Sequence, residues 1–337
     1  MTPGGLQEEV ILWLQSQGEW LIQSMRVISW FGNGPVYVFA AALLYWCFDR
    51  RWGARLFLIL ILSAGLNSML KSVFRAPRPY WVSENIRGFG SQQSFGMPSG
   101  HAQSAASVSG EVALTIRKRV VYLAVGVFVL LMGFSRIVLG VHSVGQVMIG
   151  VCLGFLVAWG VMRAEEPVLR WFEGCSVGVQ VGAVVVFSLA TIGVGVLVET
   201  WFSGFRFSSV WVENAPQTFA GVDRAVDPAA FDVLRGLVKA AGVFCGFVIG
   251  LIAVGRGQVG GVEGSWLKKF LRVMVGSIVL VFMWYVSESY QPDGRVLLNI
   301  YRFVGTALAG FWISGLAPRI FHRVGLSGTA VERMEST

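Results

Sequence analysis

Long apolar runs, separated by short polar stretches, restrict this chain more than any other feature of its sequence. A helix needs about 20 mostly apolar residues to cross the hydrocarbon core of a bilayer, because it rises about 1.5 Å per residue. Hydrophobic residues fill 55% of the 337 positions and charged residues only 14%, whereas soluble domains carry about 25% charged residues. This composition excludes a soluble fold built around one core and makes the lipid bilayer the main solvent.

The hydropathy pattern predicts an all-α, polytopic transmembrane helix bundle with nine spans, with an error of one. Residues 1–33 mix acidic and apolar side chains, which predicts an N-terminal interfacial amphipathic segment. We expect core helices over 34–165, additional transmembrane helices over 166–318, and a cytoplasmic tail over 319–337. An outer loop at 200–232 is either a lid over a site or a simple connection. The predicted spans are 34–48, 55–74, 99–116, 120–139, 142–163, 176–199, 236–254, 270–287 and 298–317.

Basic residues cluster in every second predicted loop, which is typical of the cytoplasmic side of membrane proteins. The predicted N-terminus therefore lies outside and the C-terminus inside. In a bacterium the opposite face of the inner or plasma membrane points outward, and in a eukaryote it faces the lumen of an organelle. We assign the net charge of +8 to orientation and to an anionic substrate rather than to nucleic acid. The orienting residues are Arg50, Arg51, Arg55, Arg117, Lys118, Arg119, Arg163, Arg170, Arg256, Lys268, Lys269, Arg272, Arg319, Arg323 and Arg333.

The cysteines predict neither a disulfide framework nor a metal site. All four lie in or beside apolar stretches and lack the spacing of metal ligands. We interpret them as small buried hydrophobic residues. They are Cys47, Cys152, Cys175 and Cys245.

Three short motifs carry the polar residues that the apolar pattern does not explain. The first, KSVFRAPRP, ends the second predicted span; the second, MPSGHA, begins the third; and the third, SRIVLGVHSVGQ, crosses the turn between the fourth and fifth. The predicted topology puts all three on the same outer face. Their candidate residues are Lys71, Arg78, Pro79, Pro98, Ser99, Gly100, His101, Ser135, Arg136, His142 and Gln146.

The charged residues and histidines in these motifs fit phosphoryl transfer, in which positioning and charge neutralisation dominate catalysis. Lys71, Arg78 and Arg136 supply positive charge and donors for phosphate oxygens. A single arginine near a membrane interface is more often a contact to lipid headgroups. Three cations converging with two histidines favour a site instead: His142 can attack phosphorus, and His101 can protonate the departing oxygen.

The second motif predicts an anion-binding helix start. Pro98 suits the first position of a helix, so the backbone amides of Ser99 and Gly100 are expected to be free donors in its first turn. Such donors, together with the helix dipole, bind anions. The third histidine of the chain, His322, lies in the basic tail and is interpreted as a solvated residue.

With these spacings the sequence resembles the type 2 phosphatidic acid phosphatase superfamily of membrane enzymes. That family shows Lys, six residues, Arg-Pro; then Pro-Ser-Gly-His; then Ser-Arg, five residues, His, three residues, Asp. The resemblance implies that His142 is the nucleophile, that it forms a phosphohistidine, and that His101 is the general acid. It implies no metal and no cofactor. It also implies a set of phosphate-binding residues, namely Lys71, Arg78, Ser99, Gly100 and Arg136.

One position departs from the family pattern. Gln146 stands where the family usually has aspartate, on the same helix face as His142. Its carbonyl oxygen can accept the Nδ1 proton of that ring, but an amide cannot stabilise an imidazolium as a carboxylate does. We therefore expect a lower pKa of the nucleophile or reduced activity. The glutamine and the pair Tyr80-Trp81 are similar to the glucose-6-phosphatase branch.

The motifs predict a membrane phosphatase that hydrolyses a phosphomonoester or pyrophosphate, with a lipid-linked substrate, at the extracytoplasmic face. The expected partners are membrane lipids and a phosphorylated lipid or sugar substrate, with no nucleic acid and no obligate protein partner. Glucose-6-phosphatase-like hydrolysis of a soluble sugar phosphate is an alternative. A non-catalytic lipid-phosphate binder is another, and a vanadate-dependent haloperoxidase is a third.

Overall fold

The computed structural model describes residues 5–90, 94–217, 232, 234–255 and 260–328, and in these ranges the chain forms helices and no β-strand. A π-helical turn, Trp312–Leu316, joins the last two helices. The α-helices are α1 Leu6–Ser16, α2 Glu19–Trp30, α3 Gly34–Cys47, α4 Arg50–Phe74, α5 Pro79–Val82, α6 Gly100–Ile116, α7 Arg119–Val138, α8 Val144–Glu173, α9 Val177–Trp201, α10 Ser209–Gln217, α11 Arg235–Gly255, α12 Trp266–Ser289, α13 Arg295–Phe311 and α14 Ala317–Arg323.

Within the described residues, eight helical stretches are long and apolar enough to cross a membrane. This finding confirms the predicted all-α polytopic bundle of an integral membrane protein. The stretches are Glu19–Cys47, Arg50–Val82, Arg119–Val138, Val144–Glu173, Val177–Trp201, Arg235–Gly255, Trp266–Ser289 and Arg295–Arg323.

Two predicted spans differ from the structure. The predicted span 99–116 corresponds to α6, whose 17 residues give a length of only about 26 Å. It is therefore not among the eight, whereas the sequence predicted nine with an error of one. The first stretch starts at Glu19 rather than at residue 34, because α2 continues into α3 after a short turn.

The chain folds as two compact units. The first comprises residues 1–36, 63–160 and 195–234, and the second comprises 37–62, 161–194 and 235–337. All the candidate site residues of the three motifs belong to the first unit.

The N-terminal segment forms two helices that pack on the core of the first unit. Ile11 of α1 and Ile22 of α2 are buried in one cluster with Trp81. The side-chain amide of Gln15 donates to the carbonyl oxygen of Arg87 over 2.8 Å. The predicted interfacial position of 1–33 stays a prediction, but the segment is attached to the site-bearing unit by apolar and polar contacts.

One of the basic residues assigned to a cytoplasmic loop has a different role. Arg272 lies inside α12, is 1% exposed, and donates to the backbone carbonyls of Trp46 and Leu326. Its guanidinium donors are therefore bound by backbone carbonyls inside the second unit rather than exposed at a membrane surface. Arg256 and Arg333, also used for orientation, lie outside the described residues.

Close backbone packing joins α11 to α13 in the second unit. A methyl group built on Gly246 would collide with the carbonyl oxygen of Ala307, and one on Gly242 would meet the backbone of Phe303 at 2.5 Å. These glycines are needed because the two backbones approach too closely for a side chain.

We expect Gly246→Ala to lower the free energy of unfolding by about 1–3 kcal/mol, because the added methyl group overpacks the contact with α13. Gly255→Ala is the matched control, since Gly255 lies in the same helix and faces open space. Thermal unfolding in detergent measures both. An equal midpoint for wild type and Gly246→Ala would contradict the close packing.

Candidate active site

Four helix ends converge at the candidate site of the first unit. Lys71 lies in the last turn of α4, Ser99 caps α6, Arg136 lies in the last turn of α7, and Gln146 lies in the first turn of α8. The backbone amide of Ser99 donates to the carbonyl oxygen of Gln146 over 3.0 Å, which joins the second motif to the third. The structure thus brings together the three motifs that the sequence assigned to one face.

Arg78 is the centre of this arrangement and is completely buried. Its Nε donates to the carbonyl oxygen of Ser94 over 2.8 Å, its Nη1 to that of Val141 over 2.9 Å, and its Nη2 to that of Phe95 over 3.1 Å. Nη1 also lies 3.2 Å from Nε2 of His142. Backbone carbonyls therefore fix the guanidinium plane directly beside the predicted nucleophile.

The neighbours of the His142 ring determine which nitrogen carries its proton. Nε2 faces Arg78, and a guanidinium has donors but no acceptor, so Nε2 presents its lone pair. Nδ1 lies 2.7 Å from the carbonyl oxygen of Gly96 and 3.3 Å from Oε1 of Gln146, and both of these are acceptors. The ring is therefore neutral with the proton on Nδ1, which leaves Nε2 available for nucleophilic attack.

The main partner of Nδ1 is one that the sequence did not reveal. The Gly96 carbonyl oxygen lies closer to Nδ1 than Oε1 of Gln146 does, although the sequence predicted that Gln146 would accept the Nδ1 proton. The Gln146 side chain also bonds to two backbone groups. Its Oε1 accepts from the amide of Ser143 over 3.2 Å, and its Nε2 donates to the carbonyl oxygen of Pro77 over 2.8 Å. An aspartate could not donate this last bond, which gives the amide at this position a structural reason.

Two further phosphate-binding candidates have buried donor atoms with no hydrogen-bond partner in the described part of the chain. They are Oγ of Ser99 and the Nε and Nη2 atoms of Arg136. A buried donor without a partner costs about 1–3 kcal/mol. Such donors, gathered beside a nucleophile, fit the oxygen atoms of a phosphate group.

The helix start of the second motif differs in two respects from its prediction. Helix α6 begins at Gly100 with Ser99 as its N-cap, so Pro98 precedes the helix instead of occupying its first position. The Ser99 amide, expected to be a free donor, is occupied by the carbonyl of Gln146. Ser99 therefore offers its hydroxyl, and Gly100, as the first residue of α6, offers a first-turn amide. Asn67 supports this turn by donating to the carbonyl oxygen of Pro98 over 3.3 Å and to Oε1 of Gln103 over 2.8 Å.

The cations of the site have no anionic partner. Lys71 donates to Oγ of Ser94 over 2.8 Å. Among the described residues, none of the three cations Lys71, Arg78 and Arg136 forms an ion pair with a carboxylate. Buried charges normally need a counter-charge. The site is therefore built to receive an anion.

The same environment controls the protonation of His142, the predicted nucleophile. Burial, and then the positive charges of Arg78, Arg136 and Lys71, hold the pKa of the His142 imidazole well below its usual range. Neutral imidazole is the form that can attack phosphorus. The second histidine, His101, has its Nε2 3.2 Å from Oδ1 of Asn33.

The described part of the outer loop packs on the segment that carries the His142 acceptor. The ring of Phe207 stacks on Phe95 with centroids 5.6 Å apart, and Phe205 meets Phe95 edge-on at 5.9 Å. Helix α10 packs on α5, with the Asn214 amide donating to the carbonyl of Trp81 over 3.2 Å. Residues 218–231 and 233, which include most of the rest of the predicted outer loop, lie outside the described residues.

Several contributors to the site could not be found from the sequence. Ser94, Phe95 and Gly96 act through a hydroxyl and backbone carbonyls, and Asn33 is distant from every motif. The only available signal was that Ser94–Gly96 fall just before the second motif.

The fold and the site together define a polytopic membrane protein in which a cluster of cations, suited to bind an anion, lies beside two histidines. The sequence matches the PAP2 superfamily over residues 52–169, and the transmembrane extension of PAP2 superfamily phosphatases over 238–329. Over 168 residues it is 30% identical to phosphatidylglycerophosphatase B of Bacillus subtilis (strain 168), covering 45% of this chain and 79% of that protein. The chain therefore belongs to the PAP2 superfamily, as its motifs predicted, and is an integral membrane phosphatase.

A solved structure also resembles the chain, namely the first transmembrane PAP2-type phosphatidylglycerolphosphate phosphatase from Bacillus subtilis. The two are 27% identical, the match covers 47% of this chain and 86% of that one, and the TM-score is 0.38.

We expect Gln146→Asp to move the acidic limb of the kcat/KM profile to higher pH. In wild type the pKa of His142 is lowered, so the neutral form persists and the limb lies below pH 6.5. A carboxylate within a few ångströms favours the imidazolium, so the acidic limb of the kcat/KM profile moves up by about one pH unit or more. A pH–rate series measures this shift, with the exposed Gln17→Asp as control. An unmoved limb would show that position 146 does not act on the charge of His142.

We expect Phe207→Ala to lower kcat by about tenfold, because the 94–96 backbone that orients Arg78 and His142 loses its stacking partner. Steady-state kinetics in detergent measure this loss. Trp201→Ala is the control, since that ring is 84% exposed. Equal kcat for the two variants would make the aromatic packing irrelevant to the site.

Proposed function

We propose that this protein hydrolyses a phosphomonoester or pyrophosphate of a lipid-linked substrate through a phosphohistidine on His142. One observation carries the proposal: three cations surround a histidine whose Nε2 presents a lone pair, and none of them has a carboxylate partner among the described residues. Arg78 and Arg136 are buried and Lys71 is partly buried. Cations neutralise the phosphoryl oxygens, and the neutral imidazole is the nucleophile.

The reaction proceeds in two displacements. When a phosphate oxygen accepts the Nη1 hydrogen bond of Arg78, that group no longer bonds to Nε2 of His142. The lone pair on Nε2 then attacks phosphorus, and the bond to the leaving oxygen breaks. His101 starts as the imidazolium, gives a proton to that oxygen and becomes neutral. A water molecule then attacks phosphorus, His101 takes its proton, and the N–P bond breaks to release inorganic phosphate. The Gly96 carbonyl holds the Nδ1 proton and stabilises the positive charge that the ring gains.

A lipid-linked substrate is supported by two facts. The site lies where the ends of membrane-type helices meet, so a lipid tail can stay in the bilayer while its phosphate enters the site. The curated relative from Bacillus subtilis is named a phosphatidylglycerophosphatase, which makes a phosphorylated glycerolipid the first substrate to test.

Hydrolysis of a sugar phosphate has weaker support. The Tyr80-Trp81 pair that resembles the glucose-6-phosphatase branch is fully buried. The ring centroid of Trp81 lies 6.3 Å from that of Phe95 and 6.3 Å from that of Trp211. These two residues are thus explained by packing, whatever the substrate is. Glucose 6-phosphate therefore belongs in the substrate panel as the second candidate.

The extracytoplasmic position of the site is part of the proposal. It rests on the distribution of basic residues, which places the Arg117–Arg119 end of α6 on the cytoplasmic side and its Ser99 end, at the site, on the other. With α6 as a ninth crossing beside the eight longer stretches, the N-terminus is outside and the C-terminus inside.

The test is phosphate release by purified protein in detergent, with phosphatidylglycerophosphate, phosphatidic acid and glucose 6-phosphate as substrates. We expect wild type to prefer the lipids and His142→Ala to lose at least about 10³-fold in kcat. His322→Ala is the matched control, because His322 belongs to the second unit and contacts Gly260 there.

The intermediate is tested separately with a ³²P-labelled substrate quenched in alkali. We expect a base-stable, acid-labile label on wild-type protein and none on His142→Ala. If wild type and His142→Ala are equally inert on every substrate, the enzyme proposal fails and the lipid-phosphate binder remains.

A further inference from the structure

The end of helix α2 and the turn that follows it lie against the candidate active site. Ser29, Gly32 and Asn33 each contact a residue of the second or third motif, or its immediate neighbour. These residues belong to the first unit. They lie outside both matched family regions, 52–169 and 238–329.

Ser29 holds the arginine of the third motif. Nη1 of Arg136 donates to Oγ of Ser29, which is a buried contact. The other two donor positions of this guanidinium, Nε and Nη2, are buried without a partner in the described part of the chain. The guanidinium is planar, so a bond that fixes Nη1 also fixes the direction of the two donors left for the substrate.

Asn33 holds the second histidine. Its Oδ1 lies 3.2 Å from Nε2 of His101. A carbonyl oxygen at this distance accepts a hydrogen bond from Nε2–H, so the proton that His101 gives to the leaving oxygen is the one on Nδ1. In the described part of the chain the charged groups that act on His101 are Arg136, Lys71 and Arg78, all cations. Asn33 therefore supplies an acceptor where no described carboxylate does.

Gly32 fits the ring of His101 closely. A methyl group built on Gly32 would come within 2.6 Å of Cδ2 of His101 and within 2.6 Å of Sδ of Met132. Only glycine leaves room for the ring at this distance. The turn therefore fixes His101 both by shape and by a hydrogen bond.

We propose that Ser29–Asn33 forms a wall of the active site, in which Ser29 positions Arg136 on the phosphate and Asn33 positions His101 on the leaving group. This inference rests on the proposed function. It places the N-terminal segment, predicted from sequence only as an interfacial anchor, on the leaving-group side of the reaction.

The test for Asn33 compares leaving groups through kcat/KM, which reports the step that expels the leaving group. An alkyl phosphate needs a proton from the general acid, whereas p-nitrophenyl phosphate does not. We expect Asn33→Leu to lower kcat/KM for the alkyl phosphate by about tenfold or more and to change the value for p-nitrophenyl phosphate little. Asn33→Asp keeps an acceptor oxygen, so it should not show this selective loss on the alkyl phosphate. An equal loss on both substrates by Asn33→Leu would overturn this role.

The test for Ser29 uses inorganic phosphate as a competitive inhibitor. We expect Ser29→Ala to raise its Ki by about fivefold to tenfold, because Arg136 loses its orienting partner, and to reduce kcat/KM equally for both leaving groups. Ser24→Ala is the matched control: Ser24 lies in the same helix, is exposed, and bonds only to its own helix at Trp20. An unchanged Ki in Ser29→Ala would overturn the positioning of Arg136.

A third pair of variants separates site geometry from folding. Gly32→Ala should reduce kcat at temperatures well below its thermal midpoint, where the variant is still folded. Gly34→Ala should match wild type, because Gly34 lies two residues away and faces open space. Wild-type activity in Gly32→Ala would contradict the close fit to His101. If wild type is active and His142→Ala is dead while the Ser29 and Asn33 variants behave as wild type, this inference fails and the proposed function stands.

Discussion

The rest of the site depends on three cations that have no carboxylate partner in the described part of the chain: the buried Arg78 and Arg136 and the partly buried Lys71. Like charges repel and burial removes their hydration, so such a cluster persists only where other groups hold it in place. Backbone carbonyls do this for Arg78, which bonds to those of Ser94, Phe95 and Val141. The repulsion that remains is offset when an anion enters, which links binding of a phosphate directly to the stability of the site.

The short segment Ser94–Gly96 connects this electrostatic cluster to His142, the proposed nucleophile. Its hydroxyl and carbonyl groups bond to Lys71, Arg78 and His142, so one stretch of backbone sets the relative positions of two cations and one imidazole. The aromatic packing of Phe95 holds that backbone from the other side. Gln146 joins the same network because its Nε2 donates a hydrogen bond to the carbonyl oxygen of Pro77, and a carboxylate has no hydrogen to donate there.

Segments outside the matched family regions complete the site. The outer loop after α9 packs on Phe95, and the turn after α2 packs on His101. Both belong to the compact unit that carries the three motifs. A common phosphate site can thus be combined with chain-specific walls, which is where differences in substrate between members of one superfamily are expected to arise.

The sequence by itself determined the fold class and the positions of the polar motifs, because apolar span lengths and charged loops follow directly from the thickness and charge preferences of a membrane. It also determined that Lys71, Arg78, Ser99, His101, Arg136 and His142 form one set, since their spacing is specific. Only the tertiary structure decided that the Gly96 carbonyl is the nearest partner of His142, that the Ser99 amide is already occupied, and that Ser29 and Asn33 reach the site. Backbone carbonyls look alike in every sequence, and contacts between residues more than 60 positions apart depend on how the helices pack, so neither leaves a local pattern to read.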